Sequence, residues 1–481
     1  MKRFLIVLMI LHIPVFHCGQ KTSEEMMTLE ESSPAVSLPK AEWGKALILQ
    51  QPQGIPLQER TLWIMLGDAV VQSLGQPDIK IVRAFPAAEV PTSAFVLGGR
   101  LIEAEQIRYE LNLVAGSDVF PIEGSAATLT ETIRSIVTAI AEKMEIQAAS
   151  VPILEYALDT LWVQANTAFL ESVYERTNEA VALYKSILQE DSTFAPALNG
   201  LGKCYLQIYE NQWNTRRVWL TLAQQVLTKS SQLHPDPVTD GLLGRVYFQM
   251  GDLRKSEEAL RKAAALNPNL ADAWARLGDI YSHYGLYAPS ATAYEKALDL
   301  GPAASKVRIS LAMIRIGFKE YKAAERILRK GIILEPSALH LHTFLGLALY
   351  YQNNYEEAAE AIDEGLKGVL YQPLSHCILA MIEAKEGHFD AALDGVVMDV
   401  DPYLSGQSGL EVASAAVYTL IGQNGQAVAR LQHAVERGYS EYPWILNDPN
   451  FSGLKEDPRY VQLLASLKQK WEALQKSYST L

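Results

Sequence analysis

Residues 271–304, ADAWARLGDIYSHYGLYAPSATAYEKALDLGPAA, decide the fold. Trp274, Leu277, Gly278 and Tyr281 fall three and four apart, the spacing of one helix face. Gly285 makes a turn, Ser290, Tyr294 and Ala297 repeat the spacing, and Pro302 ends the second helix because it lacks a backbone donor. The same 34-residue beat runs from about Leu161 to Glu441, with units starting near Leu161, Ala195, Pro237, Ala271, Ser305, Leu339, Pro373 and Ser408. The eighth residue of each unit is small: Ala168, Gly202, Gly244, Gly278, Ala312, Gly346, Ala380 and Ala415. A second small position recurs at Ala180, Ala223, Ser256, Ser290, Ala324, Ala358, Ala392 and Ala427. Small residues at these places let paired helices approach closely. A lone helix pair leaves an apolar face uncovered, so such units must stack, and a stack offers an extended binding surface instead of a catalytic pocket.

This pattern resembles the tetratricopeptide repeat. The resemblance implies a mostly α fold, a right-handed α-solenoid of about eight repeats, here preceded by a small α/β sandwich domain. Two units depart from the beat. The one from Ala195 holds extra residues around Tyr209 to Val218, and the one from Pro373 has Asp399 at a place usually small, with its proline displaced to Pro402.

Composition agrees with a folded chain of more than one domain: 481 residues, 49% apolar and 20% charged. The formal charge of −13 argues against a general nucleic-acid binder, which needs many Lys and Arg to displace counterions. No phosphate loop, His-Glu-x-x-His or Gly-x-Ser-x-Gly occurs, so a non-catalytic protein without cofactor or metal is expected. His340 and His342 lie two apart and point to different sides of a helix. Cys204 and Cys377 lie five repeats apart and are expected as small buried residues, not as a disulfide.

The first 18 residues read as a lipoprotein-type signal. Lys2 and Arg3 precede an apolar stretch, Phe4 to Phe16, too short to span a bilayer, and Cys18 follows. A cysteine there resembles the lipid-modified cysteine of bacterial lipoproteins, with His17 standing where that family carries a small residue. The resemblance implies an exported protein, anchored to a membrane and facing the periplasm or cell surface. Residues 19–42 have no helical or strand period and read as a flexible tether; Gly19 to Lys40 would reach roughly 70 Å if fully stretched.

Residues 43–147 read as a separate α/β domain. Strands are expected at Ala46–Gln50, Ile79–Ala84, Ala94–Ile102, Gln106–Ala115 and Asp118–Ile122, with helices at Leu57–Leu74 and Thr130–Met144. Ile107, Tyr109, Leu111 and Leu113 alternate with polar residues as a half-buried strand does, and Gly98 and Gly99 suggest a bulge. The element order and the stretch Phe95-Val96-Leu97-Gly98-Gly99-Arg100 resemble the amino-terminal domain of TolB and of the flagellar lipoprotein FlgO, a domain that precedes tetratricopeptide repeats in a large bacterial group. Repeats are expected over 148–441. Residues 442–481 resemble the capping segment of that group, through Trp444, Asp448, Pro449, Phe451, Asp457, Pro458, Arg459 and Tyr460.

The repeat positions that line the concave face give a candidate partner groove: Asn199, Lys203 and Arg245, then Asp279 and His283, then Ile309, Met313, Ile316, Leu347, Tyr350, Tyr351 and Met381. The later part is strongly apolar, as in grooves that hold a helix or an extended peptide, unless the chain itself folds against it. Asn199, Lys203 and Arg245 partly resemble a clamp for a terminal carboxylate. Arg and Lys residues from Lys306 to Lys330 face Glu356 to Glu364 of the next unit, which reads as neutralisation between neighbours. Two functions follow: an envelope scaffold holding partner proteins, or a regulatory subunit whose α/β domain senses a ligand and relays it through the repeats. Metabolic labelling with a fatty acid is expected to mark the wild-type chain and leave Cys18→Ser unlabelled; equal labelling of both would remove the anchor.

Overall fold

The computed structural model describes residues 45–50, 57–74, 79–84, 95–102, 107–115, 118–147, 156–301, 304–367, 372–400 and 408–479. Cys18, the tether at 19–42 and the residues between the strands expected at Ala94–Ile102 and Gln106–Ala115 lie outside them. The described chain forms two compact units, one of residues 45–277 with 296–301, the other of 278–295 with 304–479. Among the described residues no helix is long and apolar enough to cross a membrane.

The first unit opens with β1 (Lys45–Gln50), α1 (Leu57–Leu74), β2 (Ile79–Ala84), β3 (Phe95–Ile102), β4 (Ile107–Ala115), β5 (Asp118–Ala126) and α2 (Leu129–Met144). The strands make one sheet in the order β2-β1-β3-β4-β5, with β1 parallel to β2 and β3 and the last three antiparallel. Leu97, Leu111 and Leu113 of the sheet share a core with Leu62, Leu66 and Val70 of α1 and Ile133, Ile136 and Val137 of α2. Arg108, Glu110 and Asn112 alternate with them on β4 and are exposed. Two expectations need correction. Gly98 and Gly99 pair one to one with Asn112 and Leu111, so the strand runs without a bulge there. The last strand extends to Ala126 instead of stopping near Ile122. Pro121 is tolerated inside it because β5 lies at the edge of the sheet, where no strand among the described residues asks for a donor on the outer side.

Helical hairpins follow: α3 (Tyr156–Leu170) with α4 (Tyr174–Glu190), α5 (Ala195–Glu210) with α6 (Val218–Leu233), and α7 (Pro237–Met250) with α8 (Leu253–Leu266). α9 (Ala271–His283) and α10 (Tyr287–Leu300) each contribute residues to both units. In the second unit come α11 (Ser305–Gly317), α12 (Tyr321–Leu334), α13 (His340–Tyr350), α14 (Tyr355–Leu366), α15 (Pro373–Glu386), α16 (Phe389–Asp399), α17 (Ser408–Leu420) and α18 (Asn424–Glu436). A short α19 (Tyr442–Asn447), a 3₁₀ turn at Pro449–Leu454 and a long α20 (Pro458–Ser479) close it. The extra residues after Ala195 form the turn between α5 and α6.

The small positions sit where the helices of a hairpin touch. Ala168, Ala312, Ala380 and Ala415 are buried, as are all eight residues of the second small set. A Cβ added to Gly244, Gly278 or Gly346 would come within 2.5 Å of Leu260, Tyr294 or Ile362. Ser256 and Ser290 use the same closeness: their hydroxyls donate to the carbonyls of Gly244 and Gly278 at 2.7 and 2.8 Å. Serine is thus admitted at a buried site because its polar atom finds a partner across the hairpin.

α3 also ties the sheet domain to the first hairpin. The Asp159 carboxylate accepts hydrogen bonds from the amides of Leu129 and Thr130, at the amino end of α2 that Thr128 caps. Two orphan donors are satisfied, and the negative charge meets the positive end of the helix dipole. Burial nevertheless lifts the Asp159 carboxyl above its usual value.

Replacing Gly346 with Leu is expected to lower unfolding stability by about 1–3 kcal/mol through overpacking. Gly425→Leu, where an added Cβ meets nothing within 4 Å, is the control. Urea titration followed by circular dichroism measures both, and equal midpoints would refute the close-approach account.

Candidate partner-binding groove

In the first unit the groove positions are engaged by the chain's own sheet domain and by other residues of the repeat helices. Thr61 and Asp68 of α1 meet the repeats: Thr167 donates to Thr61 at 3.2 Å, and the Lys203 ammonium lies 3.6 Å from the Asp68 carboxylate. Asn199 accepts from the Thr239 hydroxyl at 3.0 Å. Arg245 meets Glu210 at 2.7 Å and Asp272 at 3.6 Å. Burial works against its charge, and those carboxylates outweigh it, holding the guanidinium above its usual value. The loop after α8 reaches the sheet domain as well. Asn269 accepts from the amide of Ile81 at 2.6 Å, and Asn267 donates to the carbonyl of Val71 at 2.9 Å. The three residues that partly resembled a carboxylate clamp therefore spend their polar groups inside this unit.

In the second unit Ile309, Met313, Ile316, Leu347, Tyr350 and Met381 are buried, with Met313 fully so and Tyr350 only 2% exposed. The stretch after α18 covers the tyrosine end of this wall. Tyr350 donates to the Asn450 side chain at 2.7 Å, Tyr351 meets the Asp448 carboxyl at 3.3 Å, and Asn450 approaches the Met381 sulfur at 3.6 Å. Tyr351 stacks on Tyr321 with ring centroids 5.4 Å apart. Tyr287 donates to Glu441 at 2.6 Å. α20 extends the cover: Trp471 lies against Gly285, Gln475 donates to the Gly285 carbonyl at 3.3 Å, and Tyr478 packs on Tyr281 and Tyr284. Asp279 accepts from Tyr294 at 2.8 Å, and His283 lies edge-on to Tyr284.

Burial pushes the carboxyls of Glu441 and Asp448 up to about 7, against hydrogen bonds from Tyr287 to the first and from Asn450 and Tyr351 to the second. Both residues escaped the sequence reading as functional groups. The available signal was two acids, each within two residues of a proline, in a run of aromatic residues from Tyr439 to Phe451. The helical beat stops there, so periodicity does not say where their side chains go.

Charge neutralisation between neighbouring units takes a specific form. Arg329 pairs with Glu325 at 2.8 Å and with Glu357 of the next hairpin, and Arg315 pairs with Glu320 at 2.8 Å and with Glu295. Cys204 and Cys377 are buried and are not joined in a disulfide. Among the described residues, Glu383, Glu386 and His388 bring three potential metal-ligand atoms within 4.8 Å of one another. They are half-exposed to exposed, and His388 is already paired with Glu383 at 2.8 Å.

Family profiles described as "TPR repeat" and "Tetratricopeptide repeat" match residues 244–285, 271–303 and 311–373. The human protein O-mannosyl-transferase TMTC1 is 27% identical over 125 residues, 26% of this chain and 14% of that protein. The peroxisomal targeting signal receptor of Kluyveromyces lactis is 32% identical over 127 residues, 25% of this chain and 21% of that one. The chain thus spans less than a quarter of the length of these curated relatives. Among solved structures, the APC/C hetero-tetramer Cut9-Hcn1 is similar with a TM-score of 0.43 at 17% identity, covering 71% of this chain and 60% of that one. A repeat protein of Thermus thermophilus gives 0.34 at 18% identity, covering 40% and 99%. The carboxy-terminal part of a repeat protein of Cytophaga hutchinsonii gives 0.32 at 14%, covering 61% and 99%.

Gly285 has φ +69° and would place a Cβ 2.3 Å from the Trp471 indole nitrogen. Gly285→Val is expected to destabilise the second unit by about 1–3 kcal/mol and to unseat α20. Increased proteolysis after residue 455, with the sheet domain intact, measures this. Unchanged cleavage would show that α20 does not depend on that contact.

Proposed function

We propose that this chain, whose residues 244–373 carry tetratricopeptide repeats, is a non-catalytic interaction scaffold of the bacterial cell envelope. It holds a peptide or helix of a partner protein in the groove of its second unit. The repeat architecture is that of a protein–protein interaction scaffold. The envelope location rests on the signal-like start and on the resemblance of Cys18 to a lipidated cysteine, which would anchor the exported chain to a membrane.

One observation supports the groove reading most. The surface formed by Tyr350, Tyr351 and Met381 already meets a segment supplied by the chain itself, Tyr442 to Phe451, whose Asp448 and Asn450 make the contacts. That stretch brings two prolines, aromatic anchors and acid or amide groups that meet tyrosine hydroxyls. Aromatic anchors in buried pockets dominate the energetics of many interfaces. A partner segment with the same chemistry, aromatic and proline-rich with an acid or amide at the tyrosine pair, is the natural competitor. Asn199, Lys203 and Arg245 have their partners within the first unit, which leaves the second unit as the better candidate.

The test uses the chain from Gly19 onward as bait for detergent-solubilised envelopes. Phe451 is 1% exposed in the cap, and Phe451→Ala should weaken capping enough to raise capture at least about tenfold, since apparent affinity scales with the open fraction. A synthetic peptide of residues 440–455 should compete with the captured protein. Capture that is insensitive to both would exclude the groove. Truncating Met313 or Tyr350, each under 3% exposed, is a poorer test because it also removes core packing.

A further inference from the structure

We propose that the stretch Tyr439–Phe451 is a proton-governed cap: it seats on the second unit when Glu441 and Asp448 are protonated, and it lifts as they ionise, uncovering Tyr350, Tyr351 and Met381. This goes beyond the scaffold reading and does not need a partner to exist.

The geometry places both acids at the joints of the cap. Glu441 immediately precedes α19 and accepts from Tyr287 of α10 at 2.6 Å. Asp448 lies between α19 and the 3₁₀ turn, is 5% exposed, accepts from the Asn450 amide at 2.9 Å and meets the Tyr351 hydroxyl at 3.3 Å. The groups facing them from each packed element are mostly tyrosines. Tyr287 on α10 and Tyr439 within the stretch act on Glu441, while Tyr350 and Tyr351 on α13, Tyr439, and Tyr460 on α20 act on Asp448. Tyr321 of α12 stacks behind Tyr351. Lys385 of α15 attracts the Asp448 charge, and burial outweighs it. A tyrosine hydroxyl can donate to a carboxylate or accept from a carboxylic acid, so neither protonation state loses its partner outright. What changes is the cost of keeping a negative charge away from water.

Burial lifts both carboxyls to about 7, from ordinary values of 4.5 for Glu441 and 3.8 for Asp448. The seated cap therefore binds protons more tightly than the lifted one. Seating is strongest below the ordinary carboxylate range, weakens as pH rises through the window between about 4 and about 7, and has lost that contribution above it. His283, beside Tyr284 and kept neutral by burial, would oppose this trend only where acid protonates it.

Hydrogen–deuterium exchange of the full chain from pH 5.5 to 8.5, normalised to intrinsic exchange at each pH, tests the cap. Peptides covering 439–455 should lose protection by about tenfold or more across the range, while α5 to α8 hold theirs. Glu441→Gln with Asp448→Asn should flatten the dependence, and each single substitution should reduce it. Tyr287→Phe keeps both acids and removes one hydroxyl, so it should retain the slope at lower overall protection. A flat wild-type profile, or the wild-type slope persisting in the double variant, would overturn the proposal. If the double variant does not fold, a slope unchanged in both single variants would do the same.

Discussion

Close approach of backbones within each hairpin is the constraint on which the rest of the structure depends. Where Gly244, Gly278 and Gly346 face Leu260, Tyr294 and Ile362, a methyl group has no room. The large side chain opposite fills the space that the missing one leaves. Packing at this density makes each pair a rigid element, and its outer apolar positions must then be covered by something else. The serines at Ser256 and Ser290 show how tight the approach is, since each hydroxyl reaches a carbonyl of the opposing helix.

In both units that cover is supplied by the chain itself. The first unit uses α1, with Thr61 and Asp68 against the first hairpins, and the Asn267 and Asn269 side chains bond back to Val71 and Ile81. The second uses the stretch from Tyr439 onward and α20. Without that cover, Tyr350, Tyr351 and Met381 would lose the groups that now meet them, and apolar patches are something monomers seldom leave open. Any partner for that surface would have to compete with this cover, so its apparent affinity would scale with the fraction of molecules in which the surface is open.

The two covers differ in chemistry. The one in the first unit is fastened by hydrogen bonds of the Asn267 and Asn269 side chains and by the ion pair of Lys203 with Asp68. The one in the second unit carries buried carboxyls, at Glu441 and Asp448, that are faced chiefly by tyrosines and pushed up by burial. Replacing such an acid by a neutral group of the same shape removes a desolvation cost, which is why the double substitution separates the acids' charge from their packing.

The hairpins were legible in the sequence because a helix converts contact into a fixed spacing, and the small residues at Gly278 or Ala358 recur at that spacing in every unit. Alternation marked β4 in the same way. The length of β5 was not legible, because Glu123, Gly124, Ser125 and Ala126 carry no apolar alternation, and only their pairing with β4 shows the strand continuing. The absence of a bulge at Gly98 likewise depended on its partner, Asn112. The wall of Ile309, Met313, Tyr350 and Met381 could be drawn up from repeat positions alone, since those follow from local geometry. Whether that wall faces water, a partner or the chain's own end could not be. Contact between Tyr350 and Asn450 joins residues a hundred positions apart, and no period in the sequence encodes such a distance; only tertiary packing decides which apolar surface is paired and which acid is taken out of water.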